Sequence, residues 1–168
     1  MDIDRTITNV WTVTIEESEV FKRFIDEGIQ QSSRFTASGK PPGRATKPEG
    51  ILASDDDRAI LHRYYCAALA ELSALLARRT TRVGGSISNT TDEETKMITT
   101  VFSLPMSANH ESELLEPLAA HCLEFLVARL MEKWYGHGSE FGANYEKDEI
   151  RHIIHYRRYP IERPFSTI

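Results

Sequence analysis

Pro117–Tyr135 reads PLAAHCLEFLVARLMEKWY, and its reading decides the fold. Wound as a helix, it carries apolar side chains around most of its circumference. Leu118, Cys122, Phe125, Leu126, Leu130 and Trp134 form the centre, and Leu123, Val127 and Met131 widen it. His121, Glu124 and Glu132 share one narrow polar lane. A helix apolar nearly all round belongs inside a protein. Each large side chain buried there contributes about 1.5–3 kcal/mol, so this helix is expected to organise the core. Gly136 and Gly138 stop it, and Pro117 suits its first turn. Arg129 lies on the otherwise apolar side and needs an acid if buried, with Glu71 as one option.

Working outward, 168 residues suggest one domain with a real core. A hydrophobic share of 40% and a charged share of 27% are ordinary for a soluble globular protein. A net charge of −5 argues against a whole-surface nucleic-acid binder, leaving room only for a local basic patch. Cys66 and Cys122 fall inside separate helical patterns. Two isolated helical cysteines read as free thiols rather than a disulfide framework, which fits a reducing compartment. The opening MDIDRTITNV has neither a basic nor an apolar leader region, so no signal peptide is expected. No apolar run reaches the ~18 residues of a membrane span, so no membrane partner is expected.

Residues 6–15 alternate. Ile7, Trp11, Val13 and Ile15 point one way and four threonines the other, which reads as a half-buried strand. A helix follows over Glu16–Gln31, with acids in its first turn, where the helix dipole favours them. Residues 32–53, rich in glycine and proline, read as a flexible loop. That loop is basic, with Arg34, Lys40, Arg44 and Lys47 ahead of its only acid, Glu49. Ser54 and three aspartates open a second helix running to about Thr80. Leu61, Tyr64, Tyr65, Ala68, Leu69, Leu72, Leu75 and Leu76 form its core stripe. Cys66, Ala67, Ala70, Ala74 and Ala77 form a second face of small residues. Alanine is a strong helix former in any setting, and small side chains also let a second subunit approach closely.

A β-hairpin is expected over 82–104, with arms around Val83–Ile87 and Met97–Leu104, a polar tip at Asn89–Glu94, and Pro105 as the strand's end. Ser139–Arg158 reads as a last helix. Pro160 and Pro164 make residues 159–168 an extended tail, separate from a single globular domain over 1–158. Tyr159, Ile161, Arg163 and Phe165 give that tail the means to dock. The fold expected is therefore α+β and mainly helical: a small bundle around Pro117–Tyr135, with an N-terminal strand and a hairpin between two long helices.

No motif carries chemistry on its own. Glu149, His152 and His155 have the spacing of metal ligands on one helix face. Di-iron bundles that use Glu-x-x-His need two such pairs and further glutamates, and only one pair is present here. Nucleophile elbows and phosphate-binding glycine loops have no counterpart. No catalytic residue and no cofactor are assigned.

Three segments taken together resemble a known group. They are ILASDDDRAIL at 51–61, LMEKWY at 130–135 and IIHYRRYPIERPF at 153–165. The chain resembles small proteins encoded in prophages of gut Bacteroidetes, which lie among capsid and tail genes and look like head–tail connector or neck components. That resemblance implies a non-enzymatic phage structural subunit, homo-oligomeric, partnered by portal and tail proteins, and placed in the bacterial cytoplasm during assembly and then in the virion. It also implies passage of DNA past a lumen, for which the basic residues Arg34, Lys40, Arg44 and Lys47 are the candidates. A connector ring makes heterologous contacts, one face meeting a different face. The small-residue face and the tail are the candidate pair. The alternatives are a minor tail or tail-completion protein, a small metal- or ligand-binding helical enzyme using Glu149, His152 and His155, and a nucleic-acid-binding regulator.

Overall fold

The structure, a computed structural model, describes residues 7–37, 55–81, 85–107, 112–136 and 141–156. It is mainly helical α+β. Strand β1 (Ile7–Glu16) runs directly into helix α1 (Glu17–Ala37). Helix α2 (Asp55–Thr81) precedes β2 (Ser86–Thr91) and β3 (Ile98–Ser107). A 3-10 turn (Ser112–Leu114) leads into α3 (Leu115–Tyr135), which is followed by α4 (Ala143–Arg151).

Helix α3 is the expected centre. Leu118, Cys122, Phe125, Leu126, Leu130 and Trp134 are all buried, and α3 packs against α1, α2, α4 and β1. Its far end is an aromatic junction. The Trp134 ring meets Phe24 of α1 and Tyr64 of α2, each edge-on with centroids 6.2 Å apart. Such pairs add to the area they bury. Gly136 closes the helix in the left-handed region, at φ 74°, where glycine carries no Cβ penalty. The polar lane is met by neighbours: Arg23 of α1 pairs with Glu124, and His121 Nδ1 lies 2.6 Å from Glu146 of α4.

The three strands form one antiparallel sheet in the order β1-β3-β2. The sequence presents the first strand and the hairpin as separate pieces; pairing such as Val13 with Phe102 joins them. Trp11, Val13, Ile15, Phe102, Leu104 and Met106 fill the inner face, as the alternation predicts. Burying that face fixes the register, since a one-residue slip would turn it to solvent.

Several expected boundaries move. Helix α1 continues through Ala37, so the loop start at 32–37, including Arg34, is helical. No proline interrupts it there, and the cost of Gly28, about 1 kcal/mol, is too small to end a helix packed on the core. The first hairpin arm is Ser86–Thr91, so Asn89–Thr91 belong to the strand and not to the tip. Asn89 faces Thr100 in the register and accepts its hydroxyl at 2.6 Å, which satisfies a fully buried threonine. The turn itself spans 92–97. Asp92 Oδ1 accepts from the N–H groups of Glu94 and Thr95, and Lys96 takes a left-handed conformation at φ 63°.

Pro105 does not end β3, which runs to Ser107. β2 pairs no further than Ser103, so beyond it β3 has one neighbour and can accommodate a residue without an N–H. The last helix begins at Ala143, behind Gly142 at φ 76°, rather than at Ser139. It turns π-helical over His152–Tyr156, and the expected end at Arg158 lies outside the described residues. No helix among the described residues is long and apolar enough to cross a membrane.

Candidate functional site

The small-residue face of α2 points away from the bundle. Ala67, Ala70 and Ala74 are exposed, and Cys66 and Ala77 are half-buried at its margins. The opposite stripe, Leu61, Tyr65, Ala68, Leu72 and Leu76, is buried. The other expected interface residues, Tyr159, Ile161, Arg163 and Phe165, lie outside the described residues. So do Lys40, Arg44 and Lys47; Arg34 is described through the backbone of α1 alone. Glu149 is half-buried and His152 exposed on α4 and its π turn, and the side chain of His155 lies outside the described set. Among the described residues, no three histidine, cysteine, aspartate or glutamate side chains stand where they could hold one metal ion.

The structure assembles a different constellation at the corner where β1 turns into α1. Glu17 is the first residue of α1, and its carboxylate is completely buried. Oε1 accepts the N–H of Ile98, the first residue of β3, at 2.9 Å. Oε2 lies 2.6 Å from Nδ1 of His62 on α2. One turn further along α2, Cys66 Sγ stands 3.5 Å from His62 Nε2. A buried acid, an imidazole and a thiol thus stand in line. With its proton on Nδ1, donated to Glu17, the imidazole presents the Nε2 lone pair to the thiol. The groups form a chain and not a ring around a common centre, which suits proton transfer better than metal binding.

The electrostatics follow from the surroundings. Burial pushes the Cys66 thiol above its ordinary value, and the Glu17 charge pushes it the same way. The Tyr65 hydroxyl, buried beside them, is raised by burial and then by Glu17 and Cys66. Cys122 in the core is pushed up to about 12 by burial alone. Cys66 at rest is therefore a protonated thiol facing a base, and Cys122 is an enclosed one.

A cleft of about 570 Å³ opens beside this line. Phe21 and Ala59 supply apolar wall, the turn residues Glu94, Thr95, Lys96 and Met97 close one side, and Arg58, His62 and Glu17 form the rest. Glu17 ties the turn end of the hairpin, at Ile98, to α1, and α2 supplies the remaining wall through Arg58, Ala59 and His62.

The sequence reading places Cys66 in the small-residue face and treats Glu17 as a helix-dipole residue. Its local signal was the i, i+4 spacing of His62 and Cys66, which puts them on one lane of α2. No family model, curated protein or solved structure matches this chain.

Proposed function

We propose that this chain is a non-enzymatic structural subunit of the phage head–tail connector type, assembling through contacts between copies of itself and with portal and tail proteins. The observation that carries the reading is the outward row of Ala67, Ala70 and Ala74 on a helix whose other face is core. Side chains this small allow a neighbouring helix to come close with little side-chain entropy to lose. The resemblance of segments 51–61, 130–135 and 153–165 to prophage neck proteins supports the same reading. In it, the face of α2 meets the tail of the next subunit, residues 159–168, and the basic run through Arg34, Lys40, Arg44 and Lys47 faces passing DNA. The protein works in the bacterial cytoplasm during assembly and then in the virion.

The test mixes the purified chain with the portal and tail proteins encoded beside it and follows co-assembly by negative-stain microscopy. A ring or collar is expected. Deleting residues 159–168, or placing a bulky charge by Ala70→Glu, abolishes it. Failure to associate with an intact portal overturns the reading. A collar on the tail side alone identifies a tail-completion protein instead.

A further inference from the structure

We propose that Cys66 is a modification site at which a low-molecular-weight, zwitterionic disulfide of the amino-acid or peptide kind is captured as a mixed disulfide, with His62 as the base and Glu17 as its positioning residue. The inference is independent of the assembly reading and concerns the free subunit.

The line Glu17–His62–Cys66 meets the geometric needs of an activated thiol. A base stands within hydrogen-bond reach of the nucleophile, and a third group orients the base. Glu17 is itself held, because Ile98 N–H occupies its other oxygen. The thiol is half-exposed, and the imidazole edge lines an open cleft.

The class of reaction follows from what surrounds the sulfur. Cys66 sits in the interior of α2, where backbone N–H groups bond along the helix. Those N–H groups are already engaged, so among the described residues the helix around the sulfur offers no oxyanion hole to an acyl-transfer intermediate. Displacement at a disulfide forms no oxyanion. It requires a thiolate, a line of approach and a proton for the leaving sulfur.

The cleft lining adds the substrate. Lys96 and Glu94 on the turn bring one cation and one anion to the rim, and Arg58 brings a second cation from α2. A molecule bearing both carboxylate and ammonium groups matches that mixture.

The step balances without an outside oxidant. As Cys66 Sγ attacks one sulfur of the disulfide, its proton passes to His62 Nε2. The Sγ–S bond forms while the S–S bond breaks, and the electron pair departs on the far sulfur. The imidazolium returns the proton to that thiolate. One thiol and one disulfide are consumed; one mixed disulfide and one thiol are produced.

The experiment exposes the full chain to oxidised glutathione and maps the adducts by mass spectrometry against time, at pH 7.4 and pH 9.5. The adduct is expected on Cys66 and not on Cys122. His62→Gln slows it on the order of 10- to 100-fold at pH 7.4, since a general base is worth about that much or more. At pH 9.5 solvent base does the work, and the variant and the parent converge. Glu17→Gln keeps one acceptor, enough for the Ile98 N–H, and turns an NH2 toward His62 Nδ1, which favours the tautomer unable to act as base; its deficit vanishes at pH 9.5 in the same way. A deficit that persists at pH 9.5 means that the residue only shapes access, and overturns its assigned role. An unchanged rate in His62→Gln overturns the base.

Should either variant fail to fold, the parent chain still decides. Cys66 must react faster in the folded protein than in urea, and a slower folded rate sinks the proposal. The substrate class has its own arm. Lys96→Gln is expected to slow oxidised glutathione several-fold and to leave neutral hydroxyethyl disulfide unchanged. Equal effects on both would remove the zwitterion from the proposal.

Discussion

Arg129 and Glu17 are both charged residues enclosed at junctions between elements, but they end in different company. Arg129 Nε and Nη2 donate to the two oxygens of Glu71 on α2, at 3.1 and 2.8 Å. Its Nη1 donates to Glu132 at 2.6 Å, and Lys147 of α4 reaches Glu71 at 3.0 Å. The guanidinium also stands over the Phe125 ring, 5.2 Å from its centroid. Two cations meet two acids, and the network ties α2, α3 and α4 together. Glu17 has an imidazole and one N–H for partners; the chain it begins ends on a half-exposed thiol, and its first two members, Glu17 and His62, line a cleft. Charge balance on all sides makes a fastening. A directed line of donor and acceptor ending at solvent makes a place for chemistry.

The sharpest test of that contrast is to cut the fastening. Burial would lower the Arg129 guanidinium's affinity for its proton, but hydrogen bonds from it to Glu132 and Glu71 hold it above the ordinary value. Arg129→Met removes the central cation and strands Glu132, whose side chain is 10% exposed. A loss of about 3 kcal/mol is expected, at the low end for a broken buried pair because Glu71 keeps Lys147. Urea denaturation at pH 7 measures it. A loss below about 1 kcal/mol would make the network an ordinary surface pair.

Glu17 comes next. Glu17→Ala leaves the Ile98 N–H and the His62 Nδ1–H without their acceptor in a buried corner, at a cost of about 1–3 kcal/mol. Glu17→Gln retains one acceptor, for the Ile98 N–H, and should recover part of it. Equal losses in the two variants would mean that the Ile98 bond contributes nothing and that the oxygen facing His62 holds the corner.

The Arg129 network also has an expected response to acid. Burial would raise the Glu71 carboxyl, but hydrogen bonds from Lys147 and Arg129, and then their charges, bring it below its ordinary value. A carboxyl lowered by folding contributes stability that is present above its unfolded pKa and lost as pH falls through the folded one. The parent should therefore lose stability from about pH 5 downward, near the ordinary carboxylate range. Glu71→Gln should show a shallower decline over the same interval in a series of urea titrations. A parallel decline would assign the acid response to other carboxylates.

The two regions were not equally legible in the sequence. A period of 3.6 residues marks the apolar girth of Pro117–Tyr135 and the leucine stripe of α2, and a period of two marks Trp11–Ile15 and Phe102–Leu104. These survive in the structure because burial enforces them. The Arg129–Glu71 pair was legible by necessity, since a cation on an apolar side needs an acid. Boundaries were harder. Pro105 sits inside a strand because the sheet narrows beside it, and Asn89 joins β2 because Thr100 needs its amide oxygen; both are consequences of pairing. The line from Glu17 was invisible for the same reason. Its members come from the start of α1, the middle of α2 and the start of β3, and no local period brings them together. Glu17 already had a sufficient local explanation in the helix dipole, and Cys66 in the small-residue face.

The smallest effect expected is also the one that separates fastening from chemistry most cleanly. Cys66→Ser exchanges one small side chain for another at a half-exposed position. The serine hydroxyl can donate to His62 Nε2 as the thiol does, and α2 gains no cavity. The change in stability should lie within about 0.5 kcal/mol, the range of substitutions away from buried features. Thiol capture, by contrast, should disappear entirely, because an alcohol does not displace sulfur from a disulfide under these conditions. A loss of 2 kcal/mol or more in urea denaturation would show that the sulfur is packed structure, as Arg129 is. The two clusters would then be two fastenings, and the open end of the Glu17 line would lose its meaning.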